Sequence, residues 1–238
     1  MSYEISPRTA SRFVALAEVL ICSDYPTQLA TQFLLAVVLG IGPGADGALH
    51  IKFVVALSLV DTAMLLGLIA LCLRSHGEHP REIFLGRRPP LREAMHGLPM
   101  IFAAIGLGAA VLLTVQHFAP QLHTVEHNPL QALIRTPRDA WLFALVVVVA
   151  GGVREEIQRA FLLHRFDVWL GGGAFGVIVT SAAFGLGHFV QGVDATLATG
   201  VLGAFWGIVY LRRRSVMAPI VSHAGFDLLQ IAQFIGVG

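Results

Sequence analysis

The sequence predicts an all-α, polytopic transmembrane helical bundle of about seven to eight spans with a polar intramembrane cavity. Three observations predict it. Of 238 residues, 55% are apolar and only 13% charged, about half the charge of a soluble domain, so water is not the main solvent. Runs with little or no charge, long enough to cross a bilayer core, recur along the whole chain. Between two of them stands Gly151-Gly152-Val153-Arg154-Glu155-Glu156-Ile157-Gln158-Arg159, with four charges in six residues. A charge at the bilayer centre costs about 2.5–3.5 kcal/mol on insertion scales. Such a cluster therefore implies a polar pocket inside the protein.

Composition also sets exclusions. A net charge of +1 gives no global field for steering nucleic acid. Cys22 and Cys72 both sit in or beside apolar segments and read as small buried hydrophobes rather than a disulfide framework. No repeat or low-complexity tail divides residues 1–238, which read as a single membrane domain.

Met1 to Pro7 carries Glu4, and the apolar stretch 13–22 is interrupted by Glu18, so the start does not read as a secretory signal. Within residues 1–24, an amphipathic or partly inserted helix on the cytoplasmic surface is expected. The first span follows over 25–45 and is broken by Gly42-Pro43-Gly44. The second, 51–73, holds Lys52 at its edge and Asp61 inside, the latter read as a hydrogen-bonded packing residue. After a polar loop comes the third span, 97–116, with Pro99 tolerated in its first turn. The next loop contains His117, His123 and His127 among Pro120, Pro129 and Pro137, a pattern of solvated surface histidines more than of a metal site. The fourth span begins near Pro137, places Trp141 in an interface belt, and continues as one long helix to Trp169. Gly171-Gly172-Gly173 turns the chain into spans five (174–189), six (195–211) and seven (217–235). With a cytoplasmic N-terminus, inside segments carry eleven arginines against three basic residues outside, as the positive-inside rule requires.

Three pairs at helical i, i+4 spacing share a face: Glu155 with Arg159, Phe184 with His188, and His223 with Asp227. Counting from Gly172, Glu155 and His188 both lie roughly 24–26 Å from the turn at 1.5 Å per residue, hence at one level. His223 lies about 13 Å into the last span. Carboxylates from one helix and imidazoles from two others can thus converge. A glutamate among apolar helices can serve as general base for water. Histidines can polarise a carbonyl, hold the water or bind a metal.

These motifs, in this order on late spans, resemble the CPBP intramembrane proteases, the family of CAAX prenyl endopeptidases and of bacteriocin-processing or Abi proteins. The resemblance covers about residues 137–235. It implies an intramembrane endopeptidase in which Glu155 activates water and Glu156 assists. His188 would orient water or substrate, and His223 with Asp227 would support the oxyanion. One position departs: the family's arginine five residues after the first glutamate is here Ala160. Arg159 stands one residue earlier, about 100° around the helix, so register alone does not pair it with Glu156. Two histidines and a carboxylate are compatible with Zn²⁺, but HExxH is absent, and a metal-free glutamate mechanism is the reading taken. The implied partners are the lipid bilayer and a membrane protein or peptide substrate. The implied location is a multi-pass position in the bacterial inner (plasma) membrane, with the site opening to the cytoplasm. The alternatives are a non-catalytic Abi or immunity-type membrane protein and a proton-coupled transporter using Asp61.

Overall fold

The computed structural model describes residues 12–43, 49–126 and 128–237. Among these residues the secondary structure is helical throughout, with no strand. Helix α1 (Arg12–Ile21) leads through a tight turn into α2 (Tyr25–Phe33), which ends in a π-helical turn, Leu34–Val38. Then come α3 (Ile51–Ser75), the short α4 (Pro80–Phe84) and α5 (Pro90–Phe118). Helix α6 (Pro137–Val146) runs without interruption through a π-helical stretch, Val147–Arg154, into α7 (Glu155–Trp169). The chain closes with α8 (Gly173–Gly187), α9 (Val193–Arg213) and α10 (Met217–Val237).

Local chemistry sets these boundaries. Thr136 caps α6 in a reciprocal box with Asp139, and Pro137 stands in its first turn, where its missing N–H costs nothing. Gly171 (φ +102°) and Gly172 (φ +95°) turn the chain between α7 and α8 in conformations an L side chain resists.

Among the described residues three single helices, α3, α5 and α9, are long and apolar enough to cross a membrane. The first expected span is cut short. Its helix covers only 25–38, roughly 21 Å at 1.5 Å per residue, against a core of about 30 Å; residues 44–48 lie outside the described residues. Helix α8 has 15 residues, about 22 Å. The third span, in contrast, starts seven residues early at Pro90, a good first-turn residue, so Pro99 falls inside a helix of 29 residues.

The described part of the N-terminal segment is a two-faced helix. On α1 the buried face holds Ala15, Glu18 and Val19, while Phe13, Leu16 and Leu20 are exposed. The single carboxylate points inward and the apolar face outward, a pattern suited to lipid rather than to water; residues 1–11 lie outside the described residues. The two described loop histidines, His117 and His123, have separate partners. His123 Nδ1 lies 2.7 Å from Asp194 on α9, His117 packs edge-on against Phe118, and His127 is outside the described residues.

The site is positioned by a few close packings. Helix α10 lies along α5 and against the π-helical stretch, α8 and α9 form a hairpin, and α7 packs on α8 and α3. A Cβ at Gly152 would stand 2.7 Å from Ala224 Cβ, and one at Gly185 2.6 Å from the Thr196 carbonyl. Those glycines let α10 and α9 approach the backbones that carry the charged cluster.

Candidate active site

The acidic stretch emerges where the π-helical turn reverts to α-helix, with Arg154 as the last π residue and Glu155 and Glu156 opening α7. A π-bulge offsets side chains relative to a plain α-helix and recurs at functional sites. Here it aims Glu155 and Glu156 at α10 and Arg154 at α3. Glu156 is 1% exposed, and both His223 Nδ1, at 2.8 Å, and Arg159 Nη1 engage its Oε1. An ionised carboxylate only accepts, so the proton sits on His223 Nδ1. The other ring nitrogen, Nε2, lies 3.8 Å from Glu155 Oε2 and 3.7 Å from Asp227 Oδ2. These separations are too long for direct hydrogen bonds and short enough to be bridged.

Arg159 therefore pairs with Glu156 at i+3 and not with Glu155 at i+4, which corrects the spacing argument. Glu155 is held from the other side, its Oε1 accepting from Arg154 Nη2 at 3.2 Å. The guanidinium of Arg159 also lies 4.5 Å over the Phe184 ring, where the quadrupole of the ring favours a cation. The one-residue shift of the arginine thus preserves an ion pair with Glu156.

His188 takes its place at the C-cap of α8, its Nδ1 hydrogen-bonded to the Phe184 carbonyl at 2.9 Å. That carbonyl fixes the proton on Nδ1 and leaves Nε2 as the acceptor. Phe184 links the two imidazoles, its ring centroid 4.8 Å from that of His188 and 6.0 Å from that of His223. Glu155, Glu156, Arg159, His223 and Asp227 thus form one contact cluster, and His188 joins it across an aromatic ring.

Three features escaped the sequence. Trp206 on α9 stacks on His223, centroids 3.8 Å apart and planes 17° from parallel, and donates its indole N–H to Ser222. A lone tryptophan in a Gly-rich span gives no signal of that. Arg154 Nη1 donates to Asp24 Oδ1 and to Asp61 Oδ2, each at 2.6 Å. Asp61 is buried and hydrogen-bonded, as its place in a span suggests, and its partner is Arg154 at the edge of the cluster. Asp24 adopts φ +79° and ψ −38°, rare for a non-glycine residue and typical of functional sites. A signal existed in the unmatched charge of Arg154, but nothing in the spacing chose its partners.

His223 uses Nδ1 on Glu156 and His188 uses Nδ1 on a carbonyl, so in each ring Nε2 is outside those bonds; among the described residues no group of three or more His, Cys, Asp or Glu side chains is placed to hold a metal ion. Cys22 and Cys72 are free thiols. Two clefts, of about 350 and 270 Å³, open elsewhere, beside Lys52 and Arg135 and beside Arg88 and Arg213. Neither is lined by the cluster.

Residues 137–229 match the family model described as Rce1-like, type II CAAX prenyl endopeptidase Rce1-like. No curated protein and no solved structure is similar enough to the chain to count as a match. The matched segment runs from the start of α6 into α10 and contains every residue of the contact cluster; Asp24 and Asp61 lie outside it.

Proposed function

We propose, on the match of residues 137–229 to the Rce1-like, type II CAAX prenyl endopeptidase family model, that this membrane protein is an intramembrane endopeptidase that hydrolyses peptide bonds with glutamate-activated water. The observation that carries the proposal is the division of labour between adjacent carboxylates. Glu156 is committed to His223 and Arg159. Glu155 keeps one oxygen, Oε2, facing His223 Nε2 across 3.8 Å.

In the proposed reaction Glu155 takes a proton from a water bound in that gap, and the water oxygen attacks the scissile carbonyl carbon. A C–O bond forms as the carbonyl π pair moves to oxygen. The charged form of His223, donating from Nε2, stabilises that oxyanion, with Glu156 and Asp227 supporting the charge on the ring. On collapse the C–N bond breaks, and the proton held by Glu155 passes to the leaving amine. His188, with Nε2 as its acceptor, orients the water or the substrate backbone. The ion pair of Arg159 with Glu156 supports the catalytic reading over the non-catalytic one. The reading includes a site facing the cytoplasm, a membrane-borne peptide substrate and no resident metal.

The test is hydrolysis in H₂¹⁸O by the full chain in proteoliposomes, with a farnesylated CAAX-type peptide and its unprenylated counterpart as probes. Cleavage of either, with ¹⁸O in the new carboxylate, supports the proposal. Absence of cleavage of both, and of any peptide in a membrane-protein digest, overturns it.

A further inference from the structure

The Rce1-like match begins at residue 137, yet two of the carboxylates nearest the cluster, Asp24 and Asp61, come from far upstream of it. We propose that Arg154, gripped by Asp24 and Asp61, is a positioning residue for Glu155, and that the turn at Asp24-Tyr25 sets the separation of Glu155 from His188. This rests on the reading of Glu155 as the base.

The geometry supports each link. One guanidinium faces three carboxylates from three elements: Nη1 donates to Asp24 and Asp61 at 2.6 Å, and Nη2 to Glu155 Oε1 at 3.2 Å. Arg154 is buried and so is Asp61, at 1% exposure, whose Oδ1 has no hydrogen-bond partner. One guanidinium thus stands against three carboxylates, and Asp61 Oδ1 is left without a hydrogen-bond partner. Arg154 cannot swing away from Glu155 without abandoning Asp24 and Asp61. Its grip on Oε1 therefore leaves Oε2 as the oxygen turned toward His223.

The turn contributes a second constraint. Asp24 is held at φ +79°, a conformation that persists only when its surroundings over-determine it. Its neighbour Tyr25 donates its hydroxyl to the Ala183 carbonyl at 2.9 Å, one turn of α8 before His188. Two consecutive residues thus tie the element bearing Glu155 to the element bearing His188. The N-terminal part of the chain is in this way a component of the site and not merely a lipid-facing wrapper.

The experiment reads Glu155 directly, with no substrate needed. In the wild-type full chain in detergent, labelling of each carboxyl by dicyclohexylcarbodiimide is followed by mass spectrometry; this reagent attacks protonated carboxyls in apolar surroundings. Arg154→Ala removes the group that stabilises the Glu155 anion, and labelling of Glu155 is expected to rise about tenfold, the scale of losing a hydrogen bond between charged groups. Arg154→Lys should restore much of the protection. The pair Arg154→Met with Asp61→Leu repacks the space without charge and keeps the protein folded. If Arg154 positions Glu155, labelling stays high and kcat on the farnesylated peptide stays low with KM little changed. If Arg154 is only a staple, this pair returns both to wild-type values and the proposal is overturned. Wild-type labelling of Glu155 in Arg154→Ala overturns it as well. Full activity in Glu155→Gln would instead defeat the proposed function while leaving the labelling result intact, so the two failures are distinguishable.

Discussion

Helix α7 carries two buried clusters of charge, and they are built differently. Near its C-terminal end, fully buried Arg165 bonds Glu18 of α1 at 2.5 Å and Glu78 at 2.7–2.9 Å, while His76 reaches Glu18 and His164 reaches Glu78. Each carboxylate there has two nitrogen partners. At the N-terminal end the proportions reverse. Asp24, Asp61, Glu155, Glu156 and Asp227 share Arg154, Arg159 and His223. The first cluster gives every carboxylate two nitrogen partners at 2.5–2.9 Å and is a staple. The second has acceptors to spare, some at 3.7–3.8 Å from their nearest nitrogen, which is the condition for receiving a proton or a substrate group. The same residue types within one helix thus give rigidity in one place and chemical capacity in the other.

Variants should separate the two ends. His223→Ala takes the Nδ1 donor from Glu156 and the stacked ring from Trp206, but leaves Arg159 on Glu156. Peptide hydrolysis in proteoliposomes should fall roughly 10²–10⁴-fold, the range for a general acid–base group, with the helical circular dichroism signal unchanged. Arg165→Met at the other end leaves Glu18 buried and short of a partner, and should cost about 3–5 kcal/mol in stability. A thermal melt in detergent should show that loss while kcat of the folded fraction stays near wild type. A fall in kcat without loss of stability would erase the contrast drawn here.

Much of the scaffold is legible in the sequence because it follows from hydropathy and punctuation. The uninterrupted run from Pro137 to Trp169, the glycine turn at 171–172 and the paired helices after it come from apolar periodicity and positive-φ glycines. The grouping of Glu155, His223 and Asp227 is legible from spacing, since i+4 partners share a face. Spacing fails at Arg159 because a π-helical turn precedes α7 and the partner is chosen by the ring of Phe184 and the carboxylate of Glu156. It fails at Asp24 and Arg154 because they are 130 residues apart, and contacts at that distance belong to the tertiary fold alone. The partner of Glu18 is hidden for a related reason: Arg165, which draws it inward, lies 147 residues away in the sequence.

Smaller effects sharpen the comparison. Gly152→Ala places a methyl against Ala224, 2.7 Å from its Cβ, an overpacking worth about 1–3 kcal/mol. It acts on the separation of α10 from α7, so it should lower kcat as well as the melting temperature, whereas overpacking near Arg165 should lower only the latter. The smallest effect concerns acid. Burial works to raise the Glu78 carboxyl, but hydrogen bonds from His164 and Arg165 outweigh it and hold the group at about 2, below its ordinary 4.5. Its folded-state value is depressed, so its contribution is complete above pH 4.5 and fades as pH falls toward about 2. Glu78 is partly solvated, which limits that contribution to roughly 1 kcal/mol or less. Comparing wild type with Glu78→Gln in acid melts should show the stability difference shrinking through that window.

The most direct test is single-turnover hydrolysis of the farnesylated peptide by wild-type protein and by Glu155→Gln, both checked for an intact fold. Cleavage by the wild type and its loss by roughly 10³-fold or more in the variant is the predicted result. Equal rates in the two proteins would contradict the assignment of Glu155 as the base.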